Sequence, residues 1–312
     1  MLVELALSTG IVHGWYYLKS KEERQIKASL KKFIEEKKLI NSEGLAARVQ
    51  NVELFSWGFK ADILISRVCS YKEIENQQDY LKQLFKAKEI VLTNVKGKAI
   101  LEVITNYIED IKYYPINLPP TSLLLGFDNK GESIIVDMLK VPHMGIQGAS
   151  NSGKSRMVEL ALNNLKGADI ILLNTFSKDF KRVKDARRIN GNKNILDYLE
   201  SLIKDPFVRE KPLYLVLDEL NVLGKDKAIN KAIADVLSQA RHFNIYLIAL
   251  GQSLLKESCP YKQLFNIRVT FRAIDKSSIS AFLGCSVENS ELLQREFICY
   301  SDAIYKGKSY LY

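Results

Sequence analysis

The chain is poor in the residues that build metal cages and covalent staples. It has 3 histidines and 4 cysteines in 312 residues. The cysteines, Cys69, Cys259, Cys285 and Cys299, form no Cys-x-x-Cys pair and have no histidine at ligand spacing. That excludes a zinc finger and a disulfide scaffold, and it reads as reduced, mostly buried thiols of a cytoplasmic protein. With only 7 prolines and no low-complexity tract or internal repeat, extensive disorder is excluded as well. The N-terminus lacks the basic region and small-residue cleavage site of a signal peptide. Leu2 to Leu18 is largely apolar, but Glu4 and His13 interrupt it and it is short for a full span. Trp15, Tyr16 and Tyr17 suit a membrane interface, and Lys19, Lys21, Arg24 and Lys27 follow as a cytoplasmic flank would. Two readings stand for this segment: an anchor at the inner face of a membrane, or a core element of the folded protein.

What is present is an ordinary globular composition, 47% hydrophobic and 26% charged, enough for one large domain or two moderate ones. The net charge is +9, with a pI near 9.1. That balance suits a polyanionic partner, either nucleic acid or an anionic membrane surface.

Residues 148–155 read Gly148-Ala149-Ser150-Asn151-Ser152-Gly153-Lys154-Ser155. They fit the phosphate-loop pattern G-x-x-x-x-G-K-[ST] at every constrained position. Glycines at both ends permit the tight turn that points successive N–H groups at phosphate oxygens. Lys154 adds a point charge for the β- and γ-phosphates, and the Ser155 hydroxyl suits a Mg²⁺ ion. His143–Gln147 reads as a short strand entering the loop. After the loop, Met157, Leu160, Ala161 and Leu165 have helical spacing, so a helix aims its positive end at the phosphates.

Upstream, residues 20–38 read as an amphipathic helix on Ile26, Leu30 and Ile34. A small α/β pattern follows: a strand over 58–66, a helix over 71–86, and strands over 89–95 and 98–104 joined through Lys96-Gly97. The stretch Tyr113 to Pro120 is the most proline-rich and marks a boundary. The expected domains are 1–45 (apolar segment and helix), 46–115 (small α/β domain) and 116–312. In the last, strands at 134–137, 143–147, 169–173, 213–217, 245–249 and 267–273 alternate with helices. That implies an α/β P-loop fold, a parallel sheet with helices on both faces.

Leu213 to Leu217 is an apolar strand ending in Asp218-Glu219. Asp218, at the carboxyl end of a parallel strand, is placed to hold Mg²⁺ through water, and Glu219 to polarise an attacking water. The strand over 245–249 ends in Leu250-Gly251-Gln252-Ser253, and Gln252 is a candidate sensor of the γ-phosphate. Arg241, Arg268 and Arg272 are candidates for an arginine that completes a neighbouring subunit's site. Two basic segments could meet a nucleic-acid backbone: Lys178 to Arg188, and Lys225 with Lys227 just after the acidic pair. For each, a solvated face is the simpler alternative.

Together these residues resemble the FtsK/SpoIIIE branch of the FtsK–HerA motor ATPases, over roughly residues 50–312. Pro142-His143 leading into the loop, Leu217-Asp218-Glu219-Leu220, Ala240 to Tyr246, and Asn266 to Arg272 followed by Ser277-Ser278 carry the resemblance. There are departures: Gly251-Gln252-Ser253-Leu254 lacks the family's arginine, and Asn174 to Lys178 lacks its Asp-Pro. The resemblance implies ATP with Mg²⁺, a homohexameric ring with DNA in its channel, and Lys225 and Lys227 on a DNA-tracking loop. The layout is similar to coupling proteins of Gram-positive conjugative plasmids and elements, with a relaxase and secretion-channel proteins as partners. A viral genome-packaging ATPase of the same superfamily, and an ATP-binding switch or scaffold of a membrane complex, are the alternatives.

Overall fold

The structure is a computed structural model that describes residues 20–175, 179–204, 206–255, 259–273, 275, 277–287 and 291–312. The segment Leu2–Leu18, read above as anchor or core, and Lys178 of the first basic segment lie outside the described residues. The chain divides into two compact units, Met1–Ile108 and Glu109–Tyr312.

In the first unit, residues 20–36 form helix α1. Leu30, Phe33 and Ile34 are buried from it, the three- and four-residue spacing of one helical face. Four antiparallel strands follow in the order β1-β2-β4-β3: β1 (Arg48–Phe55), β2 (Gly58–Leu64), β3 (Glu89–Val95) and β4 (Lys98–Ile104). Alternate residues Phe59, Ala61 and Ile63 of β2, and Ala99, Leu101 and Val103 of β4, enter one core. That period of two leaves the other face partly exposed. The helix expected over 71–86 is two short helices, α2 (Tyr71–Glu75) and α3 (Gln78–Leu84). Ser70 and Glu73 form a capping box on α2. The break falls where the Gln77 N–H bonds Ile74 O instead of continuing the α pattern. β1 gave no sequence signal because it carries a register shift between Val49 and Asn51 and buries only Val52 fully.

In the second unit, β5 (Ser122–Phe127), β6 (Ser133–Asp137), β7 (Met144–Gln147) and helix α4 (Lys154–Asn164) come first. Then follow β8 (Asp169–Leu173), β9 (Arg187–Ile189), α5 (Asn192–Lys204), β10 (Leu213–Leu217), α6 (Leu220–Leu223) and α7 (Lys227–Gln239). The unit ends with β11 (Ile245–Gly251), β12 (Ile267–Phe271), α8 (Ser277–Leu283), β13 (Glu296–Tyr300) and β14 (Ile304–Lys308). All ten strands share one sheet, ordered β6-β5-β14-β13-β12-β7-β11-β10-β8-β9. From β12 to β9 every pairing is parallel, as expected. From β12 to β6 every pairing is antiparallel, so the strand expected over 134–137 (β6) lies outside the parallel part of the sheet. The antiparallel half is added by the hairpin β13–β14 and by β5–β6. The segment 109–115 belongs to the second unit, where the Tyr113 N–H bonds Leu311 O at 2.6 Å. The contact boundary therefore precedes the proline-rich stretch.

Both faces of the parallel half are covered. Leu213, Leu215 and Leu217 of β10 pack with α5, α6 and α7 on one side. Tyr214 and Val216 pack with α4 on the other. Such a strand has no polar face, which is why it reads as a continuous apolar run. Leu215→Ala in this doubly covered layer removes about 2–5 kcal/mol through lost burial and a residual cavity. The expected result is a lower urea midpoint by circular dichroism for the second unit. Tryptophan fluorescence, to which no residue of the second unit contributes, keeps its midpoint.

Candidate functional site

β7 runs into the phosphate loop at Gly148. A Cβ there would come within 2.7 Å of Phe271 Cβ, and φ is +151°, so this position requires glycine. At the far end Gly153 takes φ +116° and starts α4 with no side-chain cap. The first-turn N–H groups of α4 are thus left for an anion. The loop is pinned from outside: the Ala149 N–H donates to Arg272 O at 2.8 Å, and Ser152 O accepts the Arg295 N–H at 2.9 Å. Ser150 and Asn151 at its crest are exposed, while Ser152 is buried with its hydroxyl oxygen unpartnered. Ser155 is the second residue of α4.

Lys154 is half-buried, and its ammonium donates to Gly148 O at 2.7 Å and Ala149 O at 3.0 Å. Burial lowers its pKa, while Glu219 and Asp218 pull it back up. The three residues of the loop and acidic-pair motifs, far apart in sequence, therefore share one electrostatic site. Asp218 is 6% exposed. Its N–H donates to Leu173 O at 3.1 Å, its carbonyl accepts Asn174 Nδ2 at 3.1 Å, and its carboxylate accepts the Glu219 N–H at 3.0 Å. Burial pushes its carboxyl up to about 6, with neighbouring Glu219 and Asp179 adding to the rise. Glu219 starts α6 in the left-handed region, at φ 53° and ψ 49°. A non-glycine residue held there is strained, and such strain concentrates at functional sites.

The other candidates occupy different places. Gln252 is exposed at the tip of β11, and its N–H is held by Asn221 Oδ1 at 2.7 Å. Arg272 offers its backbone to the loop, and its side chain is exposed. Arg268 is turned to a structural partner set: its guanidinium donates to Phe265 O (3.0 Å), Leu283 O (3.1 Å) and Phe282 O (3.4 Å), serving the last carbonyls of α8. Arg241 lies in the short turn before β11, at the end of that strand opposite Gly251. Lys225 is exposed between α6 and α7, and Lys227 is the exposed first residue of α7, which Asp226 caps by accepting the Ala228 N–H at 2.9 Å. In the first basic segment, Arg188 is spent on Thr175 Oγ1, Asp179 O and Phe180 O, and Arg182 lies 3.5 Å over the Tyr312 ring.

Three braces escaped the sequence reading. Gln147, 1% exposed, donates to Ser278 O at 3.0 Å and Thr270 Oγ1 at 3.4 Å, and accepts the Leu254 N–H at 3.1 Å. A lone polar residue in an apolar strand was its only signal. Asn221 joins the acidic turn to the β11 tip, through Gln252 N–H and Ser253 O. His143, at φ +64°, accepts the Leu247 N–H on Nδ1 at 3.1 Å and the Ile267 N–H on its carbonyl at 3.1 Å. Burial, with Arg241 nearby, lowers its pKa to about 4. It is thus neutral and able to accept at physiological pH. Beside the loop lies a cleft of about 700 Å³ lined by Lys154, Arg156, Glu159, Phe180, Arg182 and Arg295.

No family model matches the sequence, and no curated protein is similar to it. Solved structures are similar in fold. The pCW3 conjugation coupling protein TcpA, in a monomer form with ATPγS, superposes with a TM-score of 0.56 at 13% identity, over 93% of this chain and 95% of that one. EssC (ATPases 2 and 3) from Geobacillus thermodenitrificans gives a TM-score of 0.54 at 17% identity, over 78% of this chain and 51% of that one. The cytoplasmic domain of the Thermomonospora curvata type VII secretion ATPase EccC gives 0.50 at 13% identity, over 72% of this chain and 34% of that one. This chain thus spans a third to a half of those two ATPase structures and almost the whole of the coupling protein's. It shares the fold of these structures, with a phosphate-loop motif opening from the parallel part of the sheet.

Proposed function

We propose that the chain is an ATP-driven DNA translocase that moves plasmid or element DNA during conjugation. The observation that carries this reading is the convergence of Lys154, Asp218 and Glu219 at one sheet edge beside an uncapped helix start. The match to a conjugation coupling protein over the full length supports the biological setting. In this reading Lys154 leaves Gly148 O and Ala149 O for phosphate oxygens when ATP enters. Glu219 accepts a proton from the attacking water, from a backbone position already strained into place. Gln252 senses the γ-phosphate from a tip whose position Asn221 sets.

The residues fit a Mg²⁺ ion. Asp218 is a buried carboxylate at the carboxyl end of β10, a hard oxygen donor of the kind Mg²⁺ takes. Ser155 and Asp218 would hold the ion. Mg²⁺ when bound supplies charge neutralisation at the β- and γ-phosphates. Among the described residues no group of three or more His, Cys, Asp or Glu forms a metal cage, and Mg²⁺ shared with phosphates needs none. The working form in this reading is a homohexamer around DNA, with Lys225 and Lys227 as backbone contacts, an arginine of the neighbouring subunit completing each site, and a relaxase and secretion channel as partners. No helix among the described residues is long and apolar enough to cross a membrane. Attachment to one would fall to Leu2–Leu18.

A second reading, movement of a polypeptide, draws on the likeness to the type VII secretion ATPase EccC. Steady-state ATPase rates with and without single- and double-stranded DNA separate the two. A translocase is stimulated at least several-fold by one DNA form at low salt, and Glu219→Gln and Lys154→Ala lose turnover. No stimulation of the assembled oligomer at low salt would refute DNA movement. Asp218 is protonated in the fold below pH 6 but ionises near 3.9 when unfolded, so its stabilising contribution is present at low pH and lost as pH rises through about 4 to 6. Asp218→Asn therefore raises stability on the order of 2 kcal/mol at pH 7.5 and has little effect at pH 4. Urea denaturation at the two pH values checks this, alongside abolished turnover.

A further inference from the structure

Arg295 stands at a junction that the proposed mechanism does not use. It is the residue before β13, held at φ +70° in the left-handed region. Its N–H donates to Ser152 O at 2.9 Å, and its carbonyl accepts the Ser309 N–H at 2.9 Å. Preceding it, Gln294 Nε2 lies 3.4 Å from Asn151 O. Two consecutive carbonyls of the phosphate loop thus meet Gln294-Arg295. The contact is close: a Cβ placed on Gly153 would lie 3.3 Å from Arg295 Cα.

The side chain faces another partner. The Arg295 guanidinium donates to Ser309 O at 3.2 Å and pairs with the Asp110 carboxylate, which Lys308 approaches to 3.7 Å. Arg295 is mostly covered, with 19% of its side chain accessible, against 51% for Asp110. Asp110 belongs to the first residues of the second unit. The same segment is pinned to the chain end: the Tyr113 N–H donates to Leu311 O at 2.6 Å, and the Leu311 N–H donates to Ile111 O at 2.9 Å. Asp110 itself does not line the cleft beside the loop, whereas Arg295 does.

We infer that Arg295 is a positioning residue for the phosphate loop, and that its ion pair with Asp110 links nucleotide occupancy to the docking of segment 109–113. The inference rests on the ATPase reading above. Filling the loop releases the Lys154 ammonium from Gly148 O and Ala149 O, and the remaining loop carbonyls readjust. Ser152 O carries that change to the Arg295 backbone, whose guanidinium holds Asp110. Coupling of this kind is reciprocal: whatever secures Asp110 strengthens nucleotide binding, and nucleotide secures Asp110. An exposed ion pair alone would contribute little. Here one partner is largely covered, and its backbone is bonded to the loop.

The test is a titration of the full chain with a fluorescent ATP analogue and Mg²⁺, for wild type, Asp110→Asn, Arg295→Asp and the swap Asp110→Arg with Arg295→Asp. Hydrogen exchange at the Tyr113 and Leu311 amides is followed with and without the analogue. Asp110→Asn is expected to weaken binding about fivefold. Arg295→Asp weakens it further, and the swap recovers most of the loss. Nucleotide slows exchange at both amides in wild type but not in Asp110→Asn. The inference is overturned if wild type binds tightly while Asp110→Asn binds equally well, or if nucleotide leaves both amides unchanged. It is also overturned if Arg295→Asp alone weakens binding and the swap restores nothing, which is the pattern of direct ligand contact. Absence of binding by well-folded wild type would instead remove the ATPase reading itself.

Discussion

Parallel pairing of β7, β11, β10 and β8 aligns the carboxyl ends of four segments along one edge of one sheet. Gln147 faces Gly251, and Leu217 faces both Ala249 and Leu173. The candidate site groups are placed relative to that edge: the phosphate-loop motif after β7, Asp218 and Glu219 after β10, and Gln252 after β11. Because register in a sheet moves in whole residues, a slip of β10 by one would exchange its Leu213, Leu215 and Leu217 face for its Tyr214 and Val216 face. Burial of both faces in large apolar clusters makes that exchange costly. The site is therefore as well placed as the core is well packed.

Polar braces carry that precision beyond the ladder. His143 continues the pairing of β7 past Met144 by offering a ring nitrogen where an extended residue would offer a carbonyl. Its burial keeps it neutral, and a neutral ring has the acceptor that the Leu247 N–H needs. Gln147 uses both ends of its amide on three different segments, so the entrance to the loop is held to β12, α8 and the β11 tip together. Asn221 does the same between the acidic turn and that tip. Each brace is buried or half-buried, where an unmatched partner would cost more than the bond is worth.

The site itself is held in an unfavourable state. Asp218 and Lys154 are both taken from water, and each is pushed toward its neutral form. Glu219 and Arg295 sit at positive φ without being glycine. These costs are offset by the apolar layers on either side. Strain at Arg295 lies where loop carbonyls and the entering segment meet, so the same residue that closes the loop wall also answers to Asp110.

Much of this was legible in the residues. The loop octet, the acidic pair and the apolar strands declare themselves because a parallel strand buried on both faces reads as one apolar run, and because phosphate binding demands particular residue types at fixed spacing. Of the antiparallel half only β6 was legible as a strand, and its direction was not. β13 and β14 pair with each other and with β12 and β5, and β5 is wholly buried beside prolines that read as a boundary. Arg268 shows the limit most plainly: in sequence it stands as well as Arg272 for a phosphate-facing role, yet its guanidinium closes the end of α8. Sequence alone determined which chemistry the chain can attempt, since residue type and local spacing are sufficient for a phosphate loop. Tertiary structure alone decided what each arginine, asparagine or glutamine bonds, because those contacts depend on carbonyls and helix ends brought close from distant parts of the chain.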